Sequence, residues 1–383
     1  MQLRFKVPFL VTLVVFVTSI FLAFSSYQSA YKSIDAAGKQ ELQTTANLIQ
    51  NSIQEQSTKA LARADLISRL PPIQQLFRTN NREQLLETIL PSFEEQKASF
   101  GVADAQFHLP PARSYLRVFT PNDGINEDLS SFRETVVLTN QKQERQSGVE
   151  IGRRGLGIRG VVPVRDAQGP IGSFEIALSF KPVLDALKKV TDFEGGVFVD
   201  DKLMSEIATQ VDKPDSERII GGLRNQDSTN WQVIRSLVSP DLLTKANDVT
   251  LNIQNINGMD YGIALVPLLD FKGKKIGVIV AGRDFQSLTS QARAVLVNNI
   301  VLAIFQVIVL TGTVSVLFNG LLMRPILALG NLIANSARDD VFITVNDLST
   351  RQDEVGQIAR SFELLQKRFT DMKKEVGLLR NNG

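Results

Sequence analysis

The 383-residue chain contains no cysteine, one histidine (His108) and one tryptophan. Without cysteine there is no disulfide, no thiolate metal site and no cysteine nucleophile. The Asp200-Asp201 pair has no further metal ligands nearby in sequence. No Gly-x-x-x-x-Gly-Lys-Ser/Thr phosphate loop, His-Glu-x-x-His pair or Gly-x-Ser-x-Gly elbow is found. Neither sign of charge dominates: 42 Lys and Arg face 40 Asp and Glu, a net charge of +2. That balance gives no reason to expect nucleic acid or a polybasic membrane surface. The expectation is a protein that is not an enzyme and has no cofactor and no metal.

Charge is also missing from two long stretches. One is Val7–Phe24, preceded by Arg4 and Lys6; the other is Ala294–Phe318. Each is long enough to cross a hydrocarbon core of about 30 Å as a helix. Asn298, Asn299 and Gln306 are tolerable near an interface or against a neighbouring helix. The first run is longer than a signal-peptide core and is followed by no clean small-x-small site, so a retained span is expected. Basic residues before the first span and Arg324 after the second place both termini in the cytoplasm. This predicts a two-pass membrane protein. Its segments are a cytoplasmic start (1–6), a first span (7–24), an extracytoplasmic region (25–293), a second span (294–318) and a cytoplasmic remainder.

Residues 27–70 hold no proline until Pro71-Pro72 and read as one long helix. Leu42, Ala46, Ile49, Ile53, Gln56 and Ala60 form a heptad-like stripe, which predicts packing partly on the protein's own domain and partly on a partner. A second helix is expected from Asn81 to about Glu95. From Phe100 the hydrophobic period becomes two, and runs over 102–109, 114–119, 155–164 and 171–180 read as antiparallel strands. Asp166–Gly169 is a hairpin turn between the last two. After a short helix over Lys181–Val190 the pattern returns, with strands expected over 195–200, 231–238, 249–256, 259–268 and 274–284. Asn257-Gly258 is a two-residue hairpin signal. Both halves end in a strand carrying Ile-Gly, at 171–172 and 276–277. The fold class is therefore α+β, with one module over about 71–180 and another over about 191–284.

The first module carries Gln106-Phe107-His108-Leu109-Pro110-Pro111-Ala112, Leu116-Arg117, Phe132-Arg133, Gly148 to Leu156 and Arg159 to Val164. These residues, with the arrangement of span, long helix, two sheet modules and second span, resemble the type 3 double Cache domain of bacterial receptors. The resemblance implies two PAS-like sheets and a small ligand held in the membrane-distal module.

Behind the second span, Arg324-Pro325-Ile326 opens a helix with Ile326, Leu329 and Ile333 on one stripe. A connector with Val341, Ile343, Val345 and Leu348 follows. Glu354, Val355 and Gly356 then start a helix whose Val355, Ile358, Phe362, Leu365, Phe369, Met372, Val376 and Leu379 alternate by three and four, the seam of a coiled coil. This resembles a HAMP domain, over 319–375 with 376–383 ending the coiled coil. In that family the unit is a parallel four-helix bundle made by two chains, which implies a homodimer. Little sequence follows Leu379, so the expectation is that a cytoplasmic partner supplies the output. The alternative is an adaptor or truncated receptor that docks its coiled coil on another chain.

The distinctive polar feature is arginine. Between Gly101 and Phe180 the cations are Arg113, Arg117, Arg133, Lys142, Arg145, Arg153, Arg154, Arg159 and Arg165. Arginine offers a planar fork suited to carboxylate or phosphate. Strand alternation predicts one face with Tyr115, Arg117 and Phe119, another with Gln106 and His108, others with Arg159 and Val161 and with Ser173 and Glu175. If these faces coincide they form a concave site for a small ligand, with an anion such as a carboxylate the leading class; plain solvation of polar strand faces is the competing reading. Arg133, Glu150 and Arg154 fit either ligand contact or a structural Arg–Glu network tying down the connection 120–148. The expected function is a sensory receptor that passes extracytoplasmic ligand binding through its membrane helices to the HAMP unit.

Overall fold

The computed structural model describes residues 3–339 and 346–381. They form two compact units, one of residues 33–290 and the other of residues 1–32 with 291–383. Helix α1 runs from Leu3 to Ser68. Leu70 is extended, as a residue before proline prefers, and Pro71 and Pro72 fill the first turn of α2 (Pro71–Arg78). The Asn81 side chain caps α3 (Arg82–Phe100) by accepting from the Gln84 amide at 3.2 Å.

The first module then lays down β1 (Val102–Leu109), β2 (Arg113–Arg117), α4 (Glu134–Lys142), β3 (Gln146–Gly152), β4 (Gly155–Asp166) and β5 (Gly169–Leu178). Its sheet is antiparallel in the order β2-β1-β5-β4-β3. Helix α5 (Lys181–Thr191) leads to the second module: β6 (Glu194–Asp200), α6 (Asp201–Ile207), β7 (Ile219–Ile220), β8 (Leu223–Ser228), α7 (Trp231–Leu237), α8 (Pro240–Lys245), β9 (Thr250–Ile256), β10 (Met259–Leu269) and β11 (Lys275–Asp284). Here the order is β7-β8-β6-β11-β10-β9. Apart from β7 at the edge, the second sheet repeats the first.

The paired Ile-Gly steps mark the same point in both sheets. A Cβ on Gly172 would lie 2.2 Å from the His108 carbonyl oxygen, and one on Gly277 would lie 2.1 Å from that of Phe198. In each case the last strand crosses the first strand too closely for any side chain.

One predicted strand is a helix. Trp231–Val238 reads as alternating, but Asn230 caps a helical turn by accepting from the Val233 amide at 3.3 Å. Ile234 and Leu237, three apart, are both buried against the second sheet. The strand that pairs with β6 is instead the polar β8. Helix α4 and the start of strand β3 lie inside the connection 120–148, where the sequence predicted no element.

The stripe on α1 turns inward: Leu42, Ala46, Ile49 and Ala60 are buried in the core of the protein's own modules. Helix α1 lies so close to β4 that a Cβ on Gly160 would sit 2.3 Å from the Leu61 amide nitrogen. Helices α1 to α3 cover one face of the first sheet, with Phe77, Phe93, Phe107 and Phe174 in mutual ring contact. The segment 118–133 and α4 cover the other, through Ala112, Leu129, Val136 and Val161.

In the other unit, α9 (Gln286–Leu317) continues through a π-helical turn (Phe318–Met323) into α10 (Arg324–Asp339). The apolar stretches of α1 and α9 are long and apolar enough to cross a membrane. They meet through polar atoms as well: Thr12 and Thr311 hydroxyls lie 3.0 Å apart, and the Asn299 amide donates to Ser26 at 2.9 Å. After α11 (Asn346–Ser349), Asp353 caps α12 (Glu354–Asn381), accepting from the Gly356 amide at 3.1 Å. Leu329 packs on Ala359 with Ile333, Leu348 and Phe362 at the margin, and Val355 is also buried. Ile326, Ile358, Leu365, Phe369 and Met372 are exposed along the same unit. The connector positions Val341, Ile343 and Val345, and the side chains of Val376 and Leu379, lie outside the described residues.

Candidate functional site

The polar faces predicted separately for β1, β4 and β5 do coincide, beneath the segment 118–133 and α4. Strand register sets Gln106 opposite Glu175, His108 opposite Ser173, and Val161 opposite Glu175. Asp104 on β1, Arg159 on β4 and Glu150 on β3 extend the same polar face.

Strand β2 joins this face differently from expectation. A bulge shifts its register between Phe107 and His108, so that Arg117 faces Gln106 while Ser114 faces His108. The extra residue, Tyr115, turns to the helical side and packs on Phe77 at 4.9 Å between ring centroids. Phe119 follows β2 and meets Phe93 on that side, at 6.4 Å. Tyr115 and Phe119 are therefore separated from Arg117, and the walls they were expected to form come from Phe132 and Leu129 of the covering segment.

Two layers of charge fill the space beneath that segment. In the deeper layer Arg133, just before α4, pairs with Glu150 at 2.8 Å and with Glu175, and Arg159 also reaches Glu175. Glu150 further accepts from the Thr135 hydroxyl at 2.6 Å and the Thr135 amide at 3.1 Å. Burial alone would raise the pKa of Glu175, but Arg133 and Arg159 outweigh it and hold it at about 2. His108 is wholly buried beside this group, its Nδ1 3.4 Å from the Ser173 hydroxyl and its Nε2 without a hydrogen-bond partner. Burial, opposed by Glu175 and reinforced by the arginines, lowers it to about 3, so the ring is neutral at physiological pH. Burial pushes the Asp104 carboxyl up, against the pull of Arg159.

In the outer layer Arg117, 2 % exposed, donates to Glu127 at 2.6 Å. Arg153 donates to the other oxygen of Glu127 at 2.7 Å, lies over the Phe132 ring at 4.2 Å, and donates to the Ile207 carbonyl at 3.0 Å. Arg154 lies in the β3–β4 turn. Arg117 Nη1 and Arg154 Nη1 are buried donors without partners. Arg117 and Arg154 line a small, partly enclosed cavity with Asp104, Gln106, Arg133, Arg153 and Arg159. Its volume is about 10 Å3, the space one water molecule needs.

Asp104, Glu127, Thr135 and Arg153 are members of the cluster that sequence reasoning did not select. Glu127 lies in an irregular segment with no period to place it. Elsewhere, Asp200 caps α6 by accepting from the Leu203 amide at 2.9 Å, and Asp201 pairs with Arg224 at 2.7 Å.

The second sheet shows what the same face looks like without polar groups. By register, His108, Ser173, Glu175, Arg159 and Val161 correspond to Phe198, Val278, Val280, Ile263 and Leu265. All five are buried in one apolar cluster with α7 and α8. Among the described residues, the polar face belongs to the first module alone.

Two antiparallel sheets of repeated order on one long helix, the first enclosing a polar cavity, define a tandem sensory domain. The chain belongs to the dCache_3 family, the double sensory domain of two-component sensor kinases, whose model matches residues 36–289. No curated protein sequence matches the chain. Solved structures similar to it include a domain of a sensory box/GGDEF family protein from Vibrio parahaemolyticus, with 13 % identity and a TM-score of 0.42, covering 68 % of this chain and 99 % of that one. The ligand-binding domain of the Campylobacter jejuni chemoreceptor Tlp3, in complex with 4-methylisoleucine, has 10 % identity and a TM-score of 0.41, covering 68 % and 94 %. The sensor domain of the Vibrio cholerae histidine kinase DctB has 11 % identity and a TM-score of 0.39, covering 64 % and 97 %.

Proposed function

We propose that the chain is a homodimeric inner-membrane receptor whose first module binds a small anionic ligand, with a carboxylate the leading class. The observation that carries this reading is a small cavity lined by Arg117 and Arg154, each of which has a buried, unpartnered guanidinium donor at Nη1. A buried donor without a partner costs about 1–3 kcal/mol, which a ligand oxygen recovers. Arg133, Glu150, Glu175 and Arg159 brace one another and set the walls. His108 serves the site as a neutral buried ring.

Residues 25–293 stand outside the membrane, both termini inside, and the apolar stretches of α1 and α9 cross it. Residues 319–375 act as a HAMP unit, in which the exposed Ile358, Leu365, Phe369 and Met372 meet a second copy. Ligand binding acts on the membrane helices only through its difference in affinity between two arrangements, typically 1–3 kcal/mol. The output passes to a cytoplasmic signalling partner.

Thermal unfolding of the full chain in detergent micelles, screened against organic acids, amino acids and phosphates, tests the ligand class. Stabilisation by anions is expected; stabilisation only by neutral or cationic compounds overturns it. Single cysteines along Val295–Phe318 test the dimer, because cross-links should recur with helical period. Absence of cross-links at every position removes that part of the reading.

A further inference from the structure

The outer charge layer has a feature that the site's binding role does not itself require. The Glu127 carboxylate bridges two arginines, one oxygen to Arg117 at 2.6 Å and the other to Arg153 at 2.7 Å. This is the geometry in which a free carboxylate would be held between two guanidinium groups. The cavity beside it is as small as a single water, so no organic acid enters while Glu127 stays.

The surroundings hold the seat and leave its occupant free. Arg117 is buried, and Arg153 is fixed independently of Glu127 by the Phe132 ring and the Ile207 carbonyl. The main chain around Glu127 is tied to β2, since the Ser114 amide donates to the Glu127 carbonyl and the Asn126 amide to the Ser114 carbonyl, both at 2.9 Å. The Glu127 side chain, by contrast, is a quarter exposed and has bonds only to the two arginines. It can swing to water by rotation about its own bonds while the segment stays in place. Gly124 faces the same spot, where a Cβ would come within 2.7 Å of both Arg117 Nη1 and a Glu127 oxygen.

We propose that Glu127 is an internal stand-in for the ligand: its carboxylate occupies the anion seat between Arg117 and Arg153 in the empty receptor, and a ligand carboxylate displaces it. The inference rests on the reading of this cavity as an anion site, and deepens it by naming the seat and its competitor. Exchange of one carboxylate for another leaves the arginines neutralised both before and after it. It also sets a threshold, because the ligand must compete with a tethered group at high effective concentration. Arg153 carries the exchange to the second module through its bond to Ile207.

The test is thermal unfolding of the full chain in micelles, titrated with acetate, succinate or inorganic phosphate at constant ionic strength. Wild type is compared with Glu127→Gln and Arg117→Met. Glu127→Gln should unfold at lower temperature in chloride buffer, and at least one of these anions should restore it at a concentration at least tenfold below that needed by wild type. An unchanged midpoint, or a loss that none of the anions restores, overturns the stand-in. If in that case Arg117→Met still abolishes the wild-type response, the anion site stands without the stand-in. A response retained in Arg117→Met, or none in any chain, overturns both.

Discussion

Gly160 and Leu61 touch where the first sheet meets the long helix: the missing Cβ of Gly160 is space taken by the backbone of Leu61, 2.3 Å away. One residue earlier, on the opposite face of β4, Arg159 reaches Glu175. Strand β4 is thus the only layer between the charged cavity and α1 at this point.

Replacing Gly160 tests that joint. Gly160→Val forces side-chain atoms into helix backbone, which cannot rotate away as a side chain can. The expected loss of stability is about 1–3 kcal/mol, the range for overpacking. It should appear as a lowered unfolding temperature, with faster proteolysis of α1 around Leu61. Unchanged unfolding would mean that α1 is not seated on β4.

Glu175 tests the inner network. Its carboxylate answers both Arg133 and Arg159, so Glu175→Gln leaves two buried guanidinium groups with much less compensation. Breaking a buried pair by removing one partner costs about 3–5 kcal/mol. Asp192→Asn, at an exposed carboxylate paired with Lys188 on α5, should be nearly silent. Equal effects of the two substitutions on unfolding temperature would show that the inner network is not a structural brace.

His108 makes stability depend on acid. The unfolded chain takes up a proton near pH 6.5 that the folded chain refuses until about pH 3. Protons therefore favour the unfolded state between those values, and stability falls as pH falls, by about 1.4 kcal/mol per unit. Glu175, with its pKa lowered to about 2, adds its own loss only as pH drops below its ordinary value near 4.5. His108→Phe copies the second module, where Phe198 holds the equivalent place. Between pH 7 and pH 5 this variant should lose about 2 kcal/mol less than wild type, measured by unfolding at both pH values. Identical pH dependence would show that the ring is not kept neutral by burial.

The contact between α1 and α9 can be read by oxidation, since the natural chain has no cysteine to interfere. Thr12→Cys with Thr311→Cys should form an intrachain cross-link, given hydroxyls 3.0 Å apart. The product is a faster-migrating monomer on non-reducing gels. Cross-linking only between chains would assign this contact to the dimer instead.

Much of the architecture was legible in the chain because local chemistry decides it. Periodicity placed β1, β4, β5, β6 and the three last strands, proline ended α1, and Asn257-Gly258 marked its hairpin, with both residues at positive φ. Trp231–Val238 misled because a short amphipathic helix and a short strand can bury the same apolar residues, and only the Asn230 cap separates them. Strand β8 was hidden because its sequence, Leu-Arg-Asn-Gln-Asp-Ser, has the composition of a loop and is held by β6.

For the site, sequence alone determined that arginines and His108 sit on alternating faces in the first module, since alternation is a property of one strand. Whether those faces meet is a matter of register between strands far apart in the chain, which only tertiary structure fixes. The bulge that turns Tyr115 away from Arg117, and the irregular segment that brings Glu127 between two arginines, have no local signature. Tertiary structure also showed which residues of the second module stand at the equivalent positions. The two sheets share one order, and burial filled the second with Phe198, Val278 and Val280 where the first keeps His108, Ser173 and Glu175.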